Sequence, residues 1–64
     1  MADAPYTEPE VGQVWNPAHE GGVAVTVFHV SRVKPNVIVI TFDRPDGTRD
    51  MLEWQDFWPR YIPT

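Results

Sequence analysis

Apolar residues along the chain fall into short runs that are separated by proline and glycine. The strongest run covers residues 23–33, where the density of β-branched side chains favours a strand over a helix. Its apolar side chains divide between the two strand faces: Val23, Val25 and Val27 on one, Ala24, Phe28 and Val30 on the other. Because both faces carry apolar groups, we predict a strand that lies within a barrel or bends across two packed layers.

Two hairpins are predicted after this strand. Lys34-Pro35-Asn36 has the composition of a tight turn, with Asn36 expected in the left-handed conformation, and residues 37–42 return as the next strand. The order Pro-Asp-Gly within residues 44–48 predicts a second turn, in which Gly47 takes a positive φ. The matching register sets Asp43 opposite Arg49, Thr41 opposite Met51 and Ile40 opposite Leu52.

The two ends of the chain supply the remaining elements. Residues 11–15 form a strand candidate that Asn16-Pro17 ends, and residues 16–22 follow as a loop. Residues 53–58 lack alternation and suit a single 3₁₀ turn halted by Pro59. Residues 61–62 form the last strand, which brings the final aromatic residues beside Trp15 if the first and last strands pair.

These elements predict an all-β domain: a small barrel of about five antiparallel strands with a 3₁₀ turn before the last strand. The domain is expected over residues 11–64. Residues 1–10 contain Pro5 and Pro9 and three acids without a base, so we expect a flexible acidic tail. The alternative for this segment is an arm that Tyr6 anchors to the domain.

Composition narrows the classes of protein that fit. The 64 residues contain no cysteine, which excludes disulfides and thiolate zinc sites. The net charge of −4 lies mostly in the tail, because from Val11 onward acids and bases nearly balance. Neither a basic footprint for nucleic acid nor an acidic mimic of DNA is evident. Without a secretory or membrane-spanning segment, we expect a cytoplasmic protein with no membrane partner.

Several motifs together resemble a known group of proteins. They are Gly12-Gln13-Val14-Trp15, the valine-rich second strand, the Asp46-Gly47 turn and the closing Trp54-x-x-Phe57-x-x-x-Tyr61-x-Pro63. Over residues 11–63 the chain resembles short SH3-like barrel proteins of bacterial, phage and prophage genomes. The resemblance implies a fold and such an origin, but no activity. The Ala-Leu-Tyr-Asp-Tyr opening and the tandem tryptophans of polyproline-binding Src-homology domains are missing, so it does not imply that specificity.

Catalytic and metal-binding residue sets are poorly represented. His29 and Ser31 share a strand face but lack an orienting acid and an oxyanion hole, so we expect no enzyme and no cofactor. His19, Glu20 and His29 match no familiar zinc spacing, so no metal site is expected.

The clustered aromatic residues are the main candidate for a binding site. Trp15, Trp54, Trp58 and Tyr61 can form the core, or part of them can form an interface with a protein partner or a second copy of the chain. We therefore expect a non-enzymatic adaptor or accessory factor that binds a protein through this region and the 16–22 loop.

Two other functions stay open at this level. In the first, the barrel binds single-stranded nucleic acid, with aromatic rings stacking on bases and cations contacting phosphates. The cations concerned are Arg32 and Lys34 near one hairpin tip and Arg44 and Arg49 near the other, with Arg60 in addition. In the second, the chain is a structural subunit of a larger assembly, for example a viral one.

Overall fold

A computed structural model describes residues 5–64, in which five strands and one short helix follow one another along the chain. The elements are β1 Val14–Pro17, β2 Val25–Lys34, β3 Val37–Asp43, β4 Arg49–Glu53, α1 Trp54–Phe57 and β5 Tyr61–Pro63. All strand pairs are antiparallel and belong to one sheet of order β4-β3-β2-β1-β5. The all-β class and the five antiparallel strands are confirmed. Closure of the sheet into a barrel stays a prediction, with β4 and β5 as the two ends of the strand order.

Both predicted hairpins are present. In the second, Asp43 pairs with Arg49, Thr41 with Met51 and Ile40 with Leu52, so the register is confirmed. Gly47 takes φ +90° as its turn requires.

The first hairpin differs from the prediction in its turn. It joins Lys34 to Val37 through two residues, but no residue other than glycine has a positive φ among residues 5–64. The prediction that Asn36 adopts the left-handed conformation is therefore wrong. A right-handed turn with proline at the first central position satisfies the same connection.

Strand β1 begins later and ends later than its hydrophobic pattern indicates. The chain enters it through a tight turn, in which the Gln13 N–H donates to the Glu10 carbonyl at 3.0 Å. Its end extends through Pro17, which lies opposite Tyr61 of β5. The next residue, Ala18, donates its N–H to the Arg60 carbonyl at 2.8 Å. Antiparallel ladders alternate bonded and non-bonded pairs, so Pro17 occupies a position where its missing N–H is not needed.

The turn before the last strand is α-helical, so the 3₁₀ prediction is wrong in type although the element exists. The Trp58 N–H donates to the Trp54 carbonyl at 3.1 Å, which is the i→i+4 bond of an α-helix. A bond that spans only three residues follows, from the Arg60 N–H to the Phe57 carbonyl at 3.0 Å. It closes the turn in which the chain passes Pro59 and enters β5.

Strand β2 contains an irregularity that decides which of its apolar residues are buried. Val25 and Val27 are 1% exposed, but the register shifts between Val27 and His29, leaving Phe28 without a partner in the ladder. Phe28 is 47% exposed, whereas Val30 lies opposite the buried Ile40. The prediction that Phe28 and Val30 share a face is therefore wrong, and Val23 precedes the strand.

The core lies on one face of the sheet beneath α1. Its buried members are Trp15, Val25, Val27, Ile38, Ile40, Phe42 and Phe57. Tyr6, Val30, Leu52, Trp54 and Tyr61 are partly buried against this core. All five strands and α1 therefore contribute to the same core.

Residues 5–10 lie against the domain, as expected in the alternative in which Tyr6 anchors this segment. The Tyr6 ring contacts Trp15 edge-on at 5.7 Å between centroids, and Pro9 is buried. We call these residues the N-terminal arm. Residues 1–4 lie outside the described part of the chain, and both the flexibility of the tail and its boundary at residue 10 stay predictions.

Candidate functional site

The predicted binding residues have different positions in the fold. Trp15 is fully buried at the centre of the core, with its indole N–H donating to Gln13 Oε1 at 3.0 Å. Its ring meets Trp54 and Phe57 edge-on, at centroid distances of 5.8 and 5.2 Å. With residues 5–10 docked as in this structure, Trp15 has a packing role and offers no surface to a partner.

Trp54 and Tyr61 are half-buried and share one buried neighbour. Phe57 is fully buried, and its centroid is 4.8 Å from Tyr61 and 6.2 Å from Trp54. Tyr61 also contacts Phe42 at 5.7 Å. Each of these two side chains therefore has one part fixed against the core and another part in contact with solvent.

Trp58 is the least constrained of the four predicted residues. It is half-buried, yet it forms no aromatic pair among residues 5–64 and is not one of the partly buried residues that pack on the core. Within the same residues its indole N–H has no hydrogen-bond acceptor, unlike that of Trp15. A large ring with a free donor and little core contact is a suitable anchor for a partner. We call Trp54, Trp58 and Tyr61 the aromatic surface.

The loop that was assigned to the same site begins beside this surface. Pro17 pairs with Tyr61, and Ala18 is hydrogen-bonded to Arg60, so the chain leaves β1 next to the aromatic residues. Gly22 folds back onto Pro17 so closely that a Cβ atom on Gly22 would lie 2.6 Å from the Pro17 Cβ. The loop is thereby held against the end of β1, and its central residues His19 and Glu20 are exposed.

Three of the five cations proposed for nucleic acid, a set that includes Arg60, are paired with carboxylates. The pairs are Arg32–Glu8 at 3.5 Å, Arg44–Asp50 at 2.9 Å and Arg49–Asp43 at 2.6 Å. Lys34 is exposed and takes part in no ion pair within residues 5–64. Phosphate binding would have to compete with an internal carboxylate at each of the paired arginines, which lowers the counter-ion release that drives such binding.

The exposed carboxylates of the second hairpin have lowered pKa values because each accepts hydrogen bonds in the folded chain. The Arg49 guanidinium lowers the pKa of Asp43, and the Arg44 guanidinium, with the Met51 N–H, lowers that of Asp50. The pKa of Asp46 falls because its carboxylate accepts bonds from the Thr48 hydroxyl and the Thr48 N–H.

These shifts predict that acid weakens the fold. A carboxyl group whose folded pKa lies below its unfolded value of about 3.9 stabilises the fold above that pH, and this contribution disappears as pH falls through the folded pKa. We expect the urea midpoint to fall between about pH 4 and pH 2, and to fall less in Asp50→Asn. Glu20→Gln, an exposed acid without an ion pair among residues 5–64, is the matched control. Equal pH profiles for native and Asp50→Asn chains would contradict this assignment.

One contact that sequence reasoning missed lies on the opposite face of the sheet. The Arg49 guanidinium sits 3.5 Å above the centroid of the exposed Phe28 ring, while its Nε donates to Asp43. The negative face of an aromatic ring attracts a cation held above it. The irregularity in β2 brings Phe28 to this face. The sequence did not predict this contact, because the alternation of apolar residues does not show where a strand is irregular.

Neither metal-binding nor membrane-spanning features occur in the part of the chain that the structure describes. No three His, Asp or Glu side chains there are grouped closely enough to hold a metal ion. No helix there is long and apolar enough to cross a bilayer.

Comparison with known proteins gives no relative for this chain. No protein-family model matches it, and neither a curated protein nor a solved structure is detectably similar. A function must therefore be inferred from the residues themselves.

Proposed function

We propose that this chain is a non-enzymatic adaptor or accessory module that binds another protein through the aromatic surface, Trp54, Trp58 and Tyr61. The observation that carries the proposal is the position of Trp58. A chain of 64 residues without disulfides has few large side chains with which to build a core, yet Trp58 is only partly buried and is not among the residues that pack on that core. Tryptophan and tyrosine dominate the binding energy of many protein interfaces.

The way the surface is held favours binding as well. Phe57 stacks beneath Tyr61 and beside Trp54, so these two rings lose little freedom when a partner covers them. Binding is weakened by the ordering of mobile side chains, and rings that are already fixed avoid much of that cost. The adjacent 16–22 loop would add polar contacts at the rim of the same interface.

The SH3-like barrel class, the bacterial or phage origin and the cytoplasmic location belong to the same proposal. The strand order β4-β3-β2-β1-β5, with a helical turn between the two end strands, supports the barrel class. The pairing of Arg32, Arg44 and Arg49 with carboxylates favours a protein partner over single-stranded nucleic acid. A role as a subunit of a larger assembly would use the same surface with a different partner.

Trp58→Ala is the direct test of this function. The tagged native chain is used to capture partners from lysate of the source host, with and without nuclease, and the affinity of each captured protein is then measured with purified components. We expect Trp58→Ala to weaken binding roughly 30-fold, which corresponds to an interface anchor of about 2 kcal/mol.

Phe28→Ala is the matched control, because it also removes a partly exposed aromatic ring but from the opposite face of the sheet. It should retain the native affinity. Equal affinities of native and folded Trp58→Ala chains would rule out the aromatic surface as the interface. Loss of every captured protein after nuclease treatment would instead favour nucleic-acid binding.

A further inference from the structure

The N-terminal arm contacts the domain through side chains rather than through the sheet. Tyr6 meets the edge of Trp15, Pro9 is buried, and Glu8 pairs with Arg32 at 3.5 Å. The Glu10 N–H donates to Gln13 Oε1, the same oxygen that accepts from the Trp15 indole. Within the described residues, no backbone–backbone hydrogen bond joins residues 5–9 to any strand. The arm could therefore leave without breaking the ladder of the sheet.

A defined hinge connects the arm to β1. Residues 10–13 form a tight turn, closed by the bond from the Gln13 N–H to the Glu10 carbonyl, and Gly12 occupies its left-handed position at φ +90°. Val11 at the tip is 67% exposed. The arm thus folds back at a single turn whose conformation depends on one glycine.

We propose that the surface beneath the arm is a peptide-binding site and that the arm is its resident ligand. The site consists of Trp15, Gln13 and Arg32. Its external ligand is an extended segment of another protein with the pattern Tyr-x-Glu-Pro, the pattern of Tyr6 to Pro9. The site includes none of Trp54, Trp58 and Tyr61, although Trp15 contacts Trp54, and the proposal does not depend on the function proposed above.

Each part of the pattern has a recognition partner that the arm identifies. The tyrosine ring packs edge-on against Trp15, the glutamate pairs with Arg32, and the proline occupies the buried position of Pro9. Proline also limits the conformational freedom that an extended ligand loses on binding. A tethered arm acts as a competitor at high effective concentration, so an external peptide binds only in proportion to the open fraction of the chain.

The test measures binding of the peptide Pro-Tyr-Thr-Glu-Pro-Glu to the full chain, followed by the NMR signal of the Trp15 indole N–H. Tyr6→Ala weakens the arm in the protein and leaves the peptide intact. We expect this variant to bind the peptide at least roughly tenfold more tightly than the native chain does, because more of it is open. The same peptide with its tyrosine replaced by alanine should not move the Trp15 signal.

Gly12→Ala provides a second route that keeps every side chain of the arm. A residue with a Cβ is strained at φ +90°, so the turn opens more often while no docking contact is removed. It should also increase the affinity for the peptide relative to the native chain. If Tyr6→Ala does not fold, the affinity of Gly12→Ala for the peptide alone tests the proposal.

The proposal is wrong if the peptide leaves the Trp15 signal of the folded variants unchanged, or if the alanine peptide shifts it equally. Trp58→Ala, introduced alongside Tyr6→Ala, should not alter peptide binding. Loss of binding in that double variant would place the peptide on the aromatic surface and would also overturn the assignment to the arm site.

Discussion

Replacing Trp15 by alanine should leave the chain largely unfolded at room temperature. Trp15 is fully buried and contacts the rings of Tyr6, Trp54 and Phe57, so its removal leaves a large cavity between the arm, α1 and the sheet. Truncation of a buried tryptophan costs about 3–5 kcal/mol. A single core in a domain of this size rarely supplies more than about 3–5 kcal/mol, so the loss is comparable to the total stability.

Far-ultraviolet circular dichroism and urea denaturation would measure this loss. Trp15→Phe is the informative control, because it keeps an aromatic ring in the core but removes the N–H that donates to Gln13. The stability of Trp15→Phe should lie between those of the native chain and Trp15→Ala, and its urea curve should show a folded baseline. A cooperative urea transition of Trp15→Ala near the native midpoint would show that Trp15 is not the centre of the core.

The second large effect is expected for Phe57→Ala. Phe57 is the only buried residue of α1, and its ring contacts Trp15, Phe42 and Tyr61. Without it the helical turn has no buried anchor, and β5 loses the ring that supports Tyr61. The expected loss is again about 3–5 kcal/mol, with α1 and β5 the first elements to open.

Hydrogen exchange would distinguish local from global opening in this variant. We expect faster exchange in α1 and β5 of Phe57→Ala than in the β2–β3 hairpin, because the ladder of that hairpin is formed by strand pairs that do not include Phe57. Phe57→Leu keeps most of the buried volume and should lose much less stability. Uniform exchange rates across all five strands of a partly folded Phe57→Ala chain would contradict the special role of this ring in supporting β5.

The middle of the chain could be predicted from the sequence because local chemistry decides it. The Pro-Asp-Gly turn fixes the second hairpin, and alternation along β3 then places Ile40 opposite Leu52 and Asp43 opposite Arg49. A turn of defined length sets the register of both strands it joins, and no distant contact is needed. The same reasoning located the first hairpin, although it assigned the wrong backbone conformation to Asn36.

The candidate site was predictable only as a group of residues. Clustering near the end of the chain drew attention to Trp54, Trp58 and Tyr61, and the expected pairing of the first and last strands added Trp15. Whether a ring is buried depends on which elements pack against it, and Trp15 is enclosed by residues that are distant in sequence, including Tyr6 of the arm and Phe57 of α1. Burial of that kind is a non-local property, which a pattern of neighbours cannot specify.

Residue types and spacings of a few residues were enough to predict the all-β class, the two central hairpins, the register of the second hairpin and the absence of thiol chemistry. The tertiary structure alone decided three other features: the irregularity at Phe28, the extension of β1 through Pro17, and the docking of Tyr6 on Trp15. Each of these depends on packing between different segments of the fold, where several arrangements satisfy the local preferences equally and only the packing of the whole domain selects one.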